Sequence, residues 1–306
     1  MLKFILKRLL EAIPTLLVLI TLTFFMMRFA PGSPFTSERA LPPEVIANIE
    51  AKYGLDKPAW QQYFTYLGGL LRGDLGPSFK YKDYTVNELV AQALPVSTKL
   101  GIAAFILALW VGVTVGTIAA LRQNTWIDYW VMSTSMTGIV IPSFVFAPLL
   151  VYIFAIQLEW LPAGGWNEGR LPYMILPVVG LAFLYMASFA RIMRGSMIET
   201  LHSNFIRTAK AKGVPSTRIV LQHALRPAML PVVSYMGPAF VGVITGSVVI
   251  ETIFGLPGLG KLFVNGALNR DYSLVLGLTI LIGFFTILFN AIVDILYAVI
   301  DPRIRY

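Results

Sequence analysis

Residues 191–231 read RIMRGSMIETLHSNFIRTAKAKGVPSTRIVLQHALRPAMLP, and the stretch lies between two long apolar segments. It carries Arg191, Arg194, Arg207, Lys210, Lys212, Arg218 and Arg226 against a single acid, Glu199, and it holds both histidines, His202 and His223. Apolar residues persist through it at helical spacing: Ile198, Leu201, Phe205, Ile206 and Ala209, then Ile219, Val220 and Ala224. Gly213 and Pro215 interrupt the pattern as a helix stop and restart would. The spacing predicts two short amphipathic helices meeting at a turn, each basic on one side and apolar on the other. Returning a chain to a bilayer takes only a few residues, so this loop is built to touch something.

Outward from that loop, the composition is that of a membrane protein. Of 306 residues, 57% are hydrophobic and only 13% charged, and the mean hydropathy is +0.72, far outside soluble composition. Several uncharged runs approach or exceed the roughly 20 residues that span a hydrocarbon core. A net charge of +8 invites a nucleic-acid reading, but the cations sit in the connections, mostly on one side, where membrane orientation explains them better. With no cysteine in the chain, a disulfide framework and a thiolate metal site are excluded.

In chain order, Lys3, Lys7 and Arg8 precede an apolar run from Leu9 to about Met27. The run is long for a signal peptide and lacks a small-x-small cleavage site, so it reads as an uncleaved first span with a cytoplasmic N-terminus. From Pro31 to about Pro95 the chain turns polar. Pro42 to Gly54 punctuates a short amphipathic helix with Val45, Ile46, Ile49 and Tyr53 on one face. Pro58 to Leu71 offers a second, with Trp60, Tyr63, Phe64, Leu67 and Leu71 on an aromatic-rich face. A third starts at Thr85, with Glu88 at capping-box spacing. Further spans are expected at about 96–120, 130–156, 171–190, 229–250 and 273–300, with Pro142 and Pro148 kinking the third. Trp160 to Trp166 is an outside turn with interfacial tryptophans.

The expected architecture is therefore an all-α membrane protein of about six spans. It divides into a first span over 1–30, a helical extracytoplasmic loop over 31–95 and a core over 96–306 that contains the cytoplasmic loop 191–230. The charge tally supports this topology. Inside connections and tails hold Lys3, Lys7, Arg8, Arg122, the seven cations of the long loop, Arg303 and Arg305, whereas short outside loops hold Arg170, Lys261 and Arg270.

Two motifs tempt toward catalysis and fail. Gly255 to Leu262 (GLPGLGKL) nearly fits the phosphate loop, but Leu262 replaces the magnesium-binding hydroxyl, a membrane helix precedes it, and the topology puts it outside. Glu251 and Asp294 are acids inside apolar segments, each near enough to an interface to be hydrated, and no run of Asp, Glu or His crosses the membrane as a proton relay would. The histidines lack carboxylate company at ligand spacing, so no metal is expected. Neither a G-x-S-x-G elbow nor an H-E-x-x-H pair appears, so no catalytic residue is assigned.

The run RTAKAKG (Arg207 to Gly213), followed by Leu225 to Pro227, resembles the cytoplasmic coupling loop of ABC importer permeases. That family's pattern is Glu-Ala-Ala, three residues, Gly, nine residues, then Ile-x-Leu-Pro. Ala209 and Gly213 fit the frame. Arg207 and Thr208 replace the Glu and the first Ala, Pro227 falls one position late, and His223 stands where Ile is expected. These departures are similar to those of the peptide-permease branch, and they leave no residue for a Glu-mediated contact. The resemblance implies ATPase docking through Phe205, Arg207, Thr208, Ala209, Lys210, Lys212, Gly213, Val214, Pro215 and Arg218. A positively charged loop that follows the positive-inside rule and binds lipid headgroups is the plainer alternative, and the same charge can serve both.

Gly54 to Pro58 (GLDKP) and Gly73 to Ser78 (GDLGPS) resemble the extracytoplasmic segment of peptide-type permeases. Glu251 to Gly260 (ETIFGLPGLG) resembles the turn after their fifth helix, which implies a binding-protein contact at Glu251, Gly255, Pro257, Gly258 and Gly260. The resemblance covers essentially the whole chain and implies a type I ABC importer permease of the bacterial inner membrane, with both termini cytoplasmic. It implies partners as well: a homologous second permease, two cytoplasmic ATPases that bind the ATP and magnesium, an extracytoplasmic peptide-binding protein, a peptide substrate and membrane lipid. Dipeptide and nickel importers share this subunit type, so they stand as alternatives to oligopeptide import. An ion-coupled secondary transporter would need midplane coupling residues and often shows inverted repeats, which are not seen here.

Overall fold

The structure, a computed structural model, describes residues 2–29, 44, 48, 50–51, 53–81 and 83–300, with residues 2–9, 294 and 296–300 described by backbone alone. Helix α1 spans Leu2–Arg28 and α2 Ala59–Leu70. Helix α3 runs over Val86–Leu121, α4 over Trp126–Val140 and α5 over Ser143–Leu150, where a π turn Val151–Gln157 continues it. Helix α6 spans Leu171–Leu201, α7 Asn204–Ala211 and α8 Ser216–Ile253. Helix α9 spans Leu259–Leu268 and α10 Tyr272–Ile300. Five helices are long and apolar enough to cross a membrane, or six if α4 and α5 form one span.

That pair corrects the expected third span. The chain does not kink gently over Trp130–Ile156; it breaks by 111° between α4 and α5. The cause is local. Ile141 precedes Pro142 and sits at φ −76°, ψ 117°, because the proline ring excludes the helical region for the residue before it. Pro148 lies inside α5, and the π turn begins three residues after it.

The expected helix start at Thr85 forms as a capping box. The Thr85 N–H and hydroxyl donate to Glu88 Oε2 at 2.8 and 2.9 Å, and the Glu88 N–H donates back to Thr85 Oγ1 at 3.2 Å. From there α3 continues through Pro95, so the helix and the second span are one 36-residue element, and the backbone runs unbroken across the expected 95/96 boundary. The helix expected over Pro42 to Gly54, with Val45, Ile46 and Ile49, lies largely outside the described residues. Its end is visible: the Leu55 N–H donates to the Glu50 carbonyl at 2.8 Å, with Gly54 at φ +67°.

By its internal contacts the chain forms two compact units, one of residues 6–97 with 257–287 and one of residues 98–256 with 1–5 and 288–306. In the first, Val86, Leu89, Val90 and Ala93 of α3 pack with Leu259 of α9 and with Leu274 and Leu278 of α10. A second cluster joins Phe24 of α1 to Leu276 and Ile280, flanked by Tyr63, Tyr66 and Leu70 of α2. The aromatic face expected on α2 is thus divided. Tyr63 and Tyr66 turn inward against Phe24, while Trp60, Phe64 and Leu71 are exposed. Asp271, fully buried, accepts from Ser78 Oγ at 2.5 Å and from the N–H groups of Phe79, Lys80 and Leu274 at 3.1, 3.2 and 3.2 Å. It caps α10 while tying down the segment before α3.

In the second unit α6 is the central element, burying Phe189, Ala190, Met193 and Met197. Gly112 and Gly116 of α3 meet it. A Cβ on Gly112 would stand 2.5 Å from Phe189 Cβ, and one on Gly116 would overlap the Ala190 carbonyl oxygen. This small-xxx-small spacing lets two helix backbones approach closely where lipid supplies no hydrophobic drive for packing. Aromatic rings continue the core, with Phe105 5.2 Å from Phe240 and Phe189 5.4 Å from Tyr235. The apolar side chains of Leu10, Ile13, Leu17, Val18, Leu22 and Met26 on α1 are exposed, the composition of a surface that faces lipid or another membrane subunit.

Candidate functional site

The site is built on α7, suspended between α6 and α8. Helix α6 passes the expected end of its span and runs on to Leu201, so Arg191 and Arg194 lie on it and not in a loop. Arg194 is held by Asp128 in the first turn of α4. Nε reaches Oδ1 at 2.5 Å and Nη2 reaches Oδ2 at 2.7 Å, while Asp128 Oδ2 also accepts from the Asn124 N–H at 3.0 Å. Asp128 is 1% exposed.

At Ser203 the backbone is extended, and α7 starts. Its period divides its faces: Ile206 and Ala209 are buried, while Phe205, Arg207, Thr208, Lys210 and Lys212 are exposed. The helix then ends in a Schellman arrangement. The Val214 N–H donates to the Ala209 carbonyl at 3.2 Å and the Gly213 N–H to that of Lys210 at 3.0 Å. Gly213 occupies the left-handed region at φ +73°, which a residue without Cβ adopts at no strain. Val214 and Pro215 restart the chain, and the exposed Arg218 donates Nε–H to Gln222 Oε1 at 2.9 Å. The docking residues named from the sequence therefore gather on one short amphipathic helix and the turn that follows it.

The second short helix expected in the loop is not separate. Ser216–Arg218, a π turn over Ile219–Ala224 and Leu225–Ile253 form one continuous rod. The π turn lies just before Pro227, which has no N–H for the His223 carbonyl, and a local widening of the helix accommodates that gap.

At the other end of α8 the same capping motif recurs. The Leu256 N–H donates to the Glu251 carbonyl at 2.8 Å and the Gly255 N–H to that of Thr252 at 3.3 Å, with Gly255 at φ +67°. Phe254 then accepts the Gly165 N–H at 2.8 Å, so the turn after α8 is bonded to the Trp160–Trp166 loop. Pro257 and Gly258 lead into α9, where Gly258 is the residue before the first turn and Gly260 is buried within it. Glu251 corrects the sequence expectation: it is fully buried, not hydrated at an interface. Asp294 has its side chain outside the described residues.

Sequence reasoning missed Asp128, Arg194 and Asp271 as interior polar groups. The first had a signal: Thr125 and Asp128 stand at the spacing of a helix start. For Arg194 and Asp271 no local pattern announces a partner 66 or 193 residues away.

Residues 112–306 match the family described as binding-protein-dependent transport system inner membrane component, and residues 1–100 match its N-terminal component. The oligopeptide transport system permease protein OppB of Haemophilus influenzae is 71% identical over the full length of both chains, and that of Escherichia coli K12 is 73% identical over the same span. The dipeptide transport system permease protein DppB of Bacillus subtilis is more distant, at 42% over all of this chain and 98% of its own. Apolar helices of membrane-spanning length, the amphipathic α7 between two of them and these full-length matches lead to one conclusion: the chain is a multi-pass membrane protein of the binding-protein-dependent transport system inner membrane component family.

Proposed function

We propose that this chain is one membrane half of an ATP-driven importer of oligopeptides. The relatives at 71–73% identity carry that name, while those named for dipeptides are more distant. A second permease completes the pathway, two cytoplasmic ATPases bind and hydrolyse ATP with magnesium, and an extracytoplasmic binding protein delivers the peptide. The chain itself contributes no catalytic residue. Both termini and α7 face the cytoplasm, and the segment 31–95 faces outward, in keeping with the distribution of Lys and Arg.

One observation carries the mechanism. Helix α7 exposes Phe205 among Arg207, Lys210 and Lys212 while anchoring Ile206 and Ala209 inward. An exposed aromatic ringed by cations is the kind of anchor that docks into a partner's cleft. Because α7 is joined to α6 by three residues and to α8 by a four-residue turn, a displacement of the docked ATPases pulls on both long helices. ATP binding closes the ATPases and rocks the two permease halves between inward- and outward-open states, and only the difference in binding energy between those states drives the change. The basic face also meets anionic lipid headgroups at rest.

Cells lacking this chain should lose oligopeptide uptake and regain it on complementation. The purified chain alone should neither hydrolyse ATP nor transport. ATP hydrolysis by the isolated chain, or peptide uptake unaffected by its removal, defeats the proposal.

A further inference from the structure

A cavity of about 440 Å³ opens among α1, α2, the segment 53–79 and the start of α10. That size is within the range that encloses small organic ligands. Its walls carry the rings of Phe24, Tyr53, Tyr66 and Phe79, and three charged side chains line it: Arg28, Lys57 and Asp74. Polar groups around it are largely bonded. Arg28 Nη2 donates to the Leu55 carbonyl at 2.8 Å, Gln62 Nε2 to the Lys57 carbonyl at 2.6 Å, and Asp74 Oδ1 accepts the Gly76 N–H at 2.9 Å. On the same helix, Tyr63 shares a 2.6 Å hydrogen bond with Thr21.

The Tyr66 hydroxyl is the exception. It is buried and has no hydrogen-bond partner among the described residues. A buried hydroxyl left unpaired is destabilising, and folded proteins seldom retain one. Local rules of this kind are broken mainly where a site needs the group for something else. Burial, with the Asp74 charge adding to it, pushes the phenol well above its usual range, so it remains protonated and acts as a donor in search of an acceptor.

We propose that this cavity binds a short peptide, seating an apolar side chain between the rings and a backbone carbonyl oxygen on the Tyr66 hydroxyl. The inference rests on the reading of the chain as a peptide permease, and it adds a site that the docking and turn residues do not include. A neutral carbonyl suits the Tyr66 end because the Asp74 charge repels an anion there, while Arg28 and Lys57 offer the positive charge that a terminal carboxylate seeks. A lipid acyl chain fits the rings but brings no acceptor to Tyr66.

The test uses the full-length chain in lipid nanodiscs with the tripeptide Ala-Phe-Ala as probe. Without peptide, Tyr66→Phe should melt at or above the wild-type temperature, since it deletes an unpaired buried hydroxyl. With peptide, the same variant should bind about three- to tenfold more weakly, the span expected for one lost hydrogen bond. Tyr63→Phe, which breaks the bond to Thr21, should melt lower and bind as the wild type does. Absence of peptide binding to the wild type, equal affinity in wild type and Tyr66→Phe, or a lower melting temperature of Tyr66→Phe with unchanged affinity (a hydroxyl satisfied by water alone) would overturn the proposal. Uptake of Ala-Phe-Ala by cells is measured in parallel. Chain-dependent uptake with unaltered Tyr66→Phe binding removes the cavity site alone, whereas uptake independent of the chain removes the peptide-import reading.

Discussion

Asp128 and Arg194, 66 residues apart, meet in a two-pronged ion pair that ties the first turn of α4 to the last turns of α6, ten residues before α7 begins. With Asp128 almost wholly buried and Arg194 24% exposed, the pair cannot be treated as a surface bridge, whose contribution is commonly near zero. Its geometry is that of a fork-to-carboxylate contact, the strongest class of side-chain hydrogen bond. It makes α4 and α6 respond together to any pull on α7.

Removing one partner leaves the other buried without its counter-charge. Asp128→Ala should cost about 3 kcal/mol, the low end of the range for breaking a buried pair because Arg194 is partly solvated. Asp128→Met combined with Arg194→Leu should recover much of that loss. Thermal unfolding of the singles and the double as a mutant cycle checks it. Additive losses would show that the two side chains do not act as a pair.

Gly213→Val should uncouple transport from ATP hydrolysis. No heavy atom lies within 4 Å of a Cβ built on Gly213, so a substitution there meets no clash and its effect comes from φ +73° alone. The strain on a β-branched residue is about 1–3 kcal/mol, too little to unfold the bundle and enough to misplace α7. Gly213→Asn, which tolerates the left-handed region, should retain most activity. Peptide uptake and ATPase co-purification are the readouts, and wild-type uptake in the valine variant would reduce the loop to a charged tether.

Gly116→Leu should weaken the crossing of α3 and α6. The new side chain meets the Ala190 carbonyl and Met193 Cβ, the latter at 2.9 Å, and overpacking of this kind costs about 1–3 kcal/mol. A lowered melting temperature in detergent is expected, while Gly195→Leu, where nothing lies within 4 Å, should melt as the wild type does. Equal melting of the two variants would contradict the close approach.

Cysteines at Arg72 and Ser216, both exposed in a chain that has no native cysteine, should label from opposite sides of the membrane. An impermeant maleimide added to intact spheroplasts should reach Arg72→Cys alone. Labelling of both from one side would refute the orientation proposed from the charge distribution.

Read alone, the sequence determined the all-α membrane class, the capping box at Thr85 and the break near Gly213. All three depend on local chemistry: hydropathy over a span, a hydroxyl three residues from a carboxylate, a residue without Cβ after a basic helix. The exposed basic face of α7 was legible for the same reason, since a 3.6-residue period is written in eight consecutive residues. Only the tertiary structure decided that the second half of the loop is the root of α8, because continuity through Pro227 depends on a π turn that composition does not announce. It also decided the 111° break at Pro142, the burial of Glu251 and Asp271, the Asp128–Arg194 pair and the orphan hydroxyl of Tyr66. The pairings and burials among these depend on which helices meet across tens to hundreds of residues, and a hydrophobic pattern specifies that a face is covered without naming what covers it.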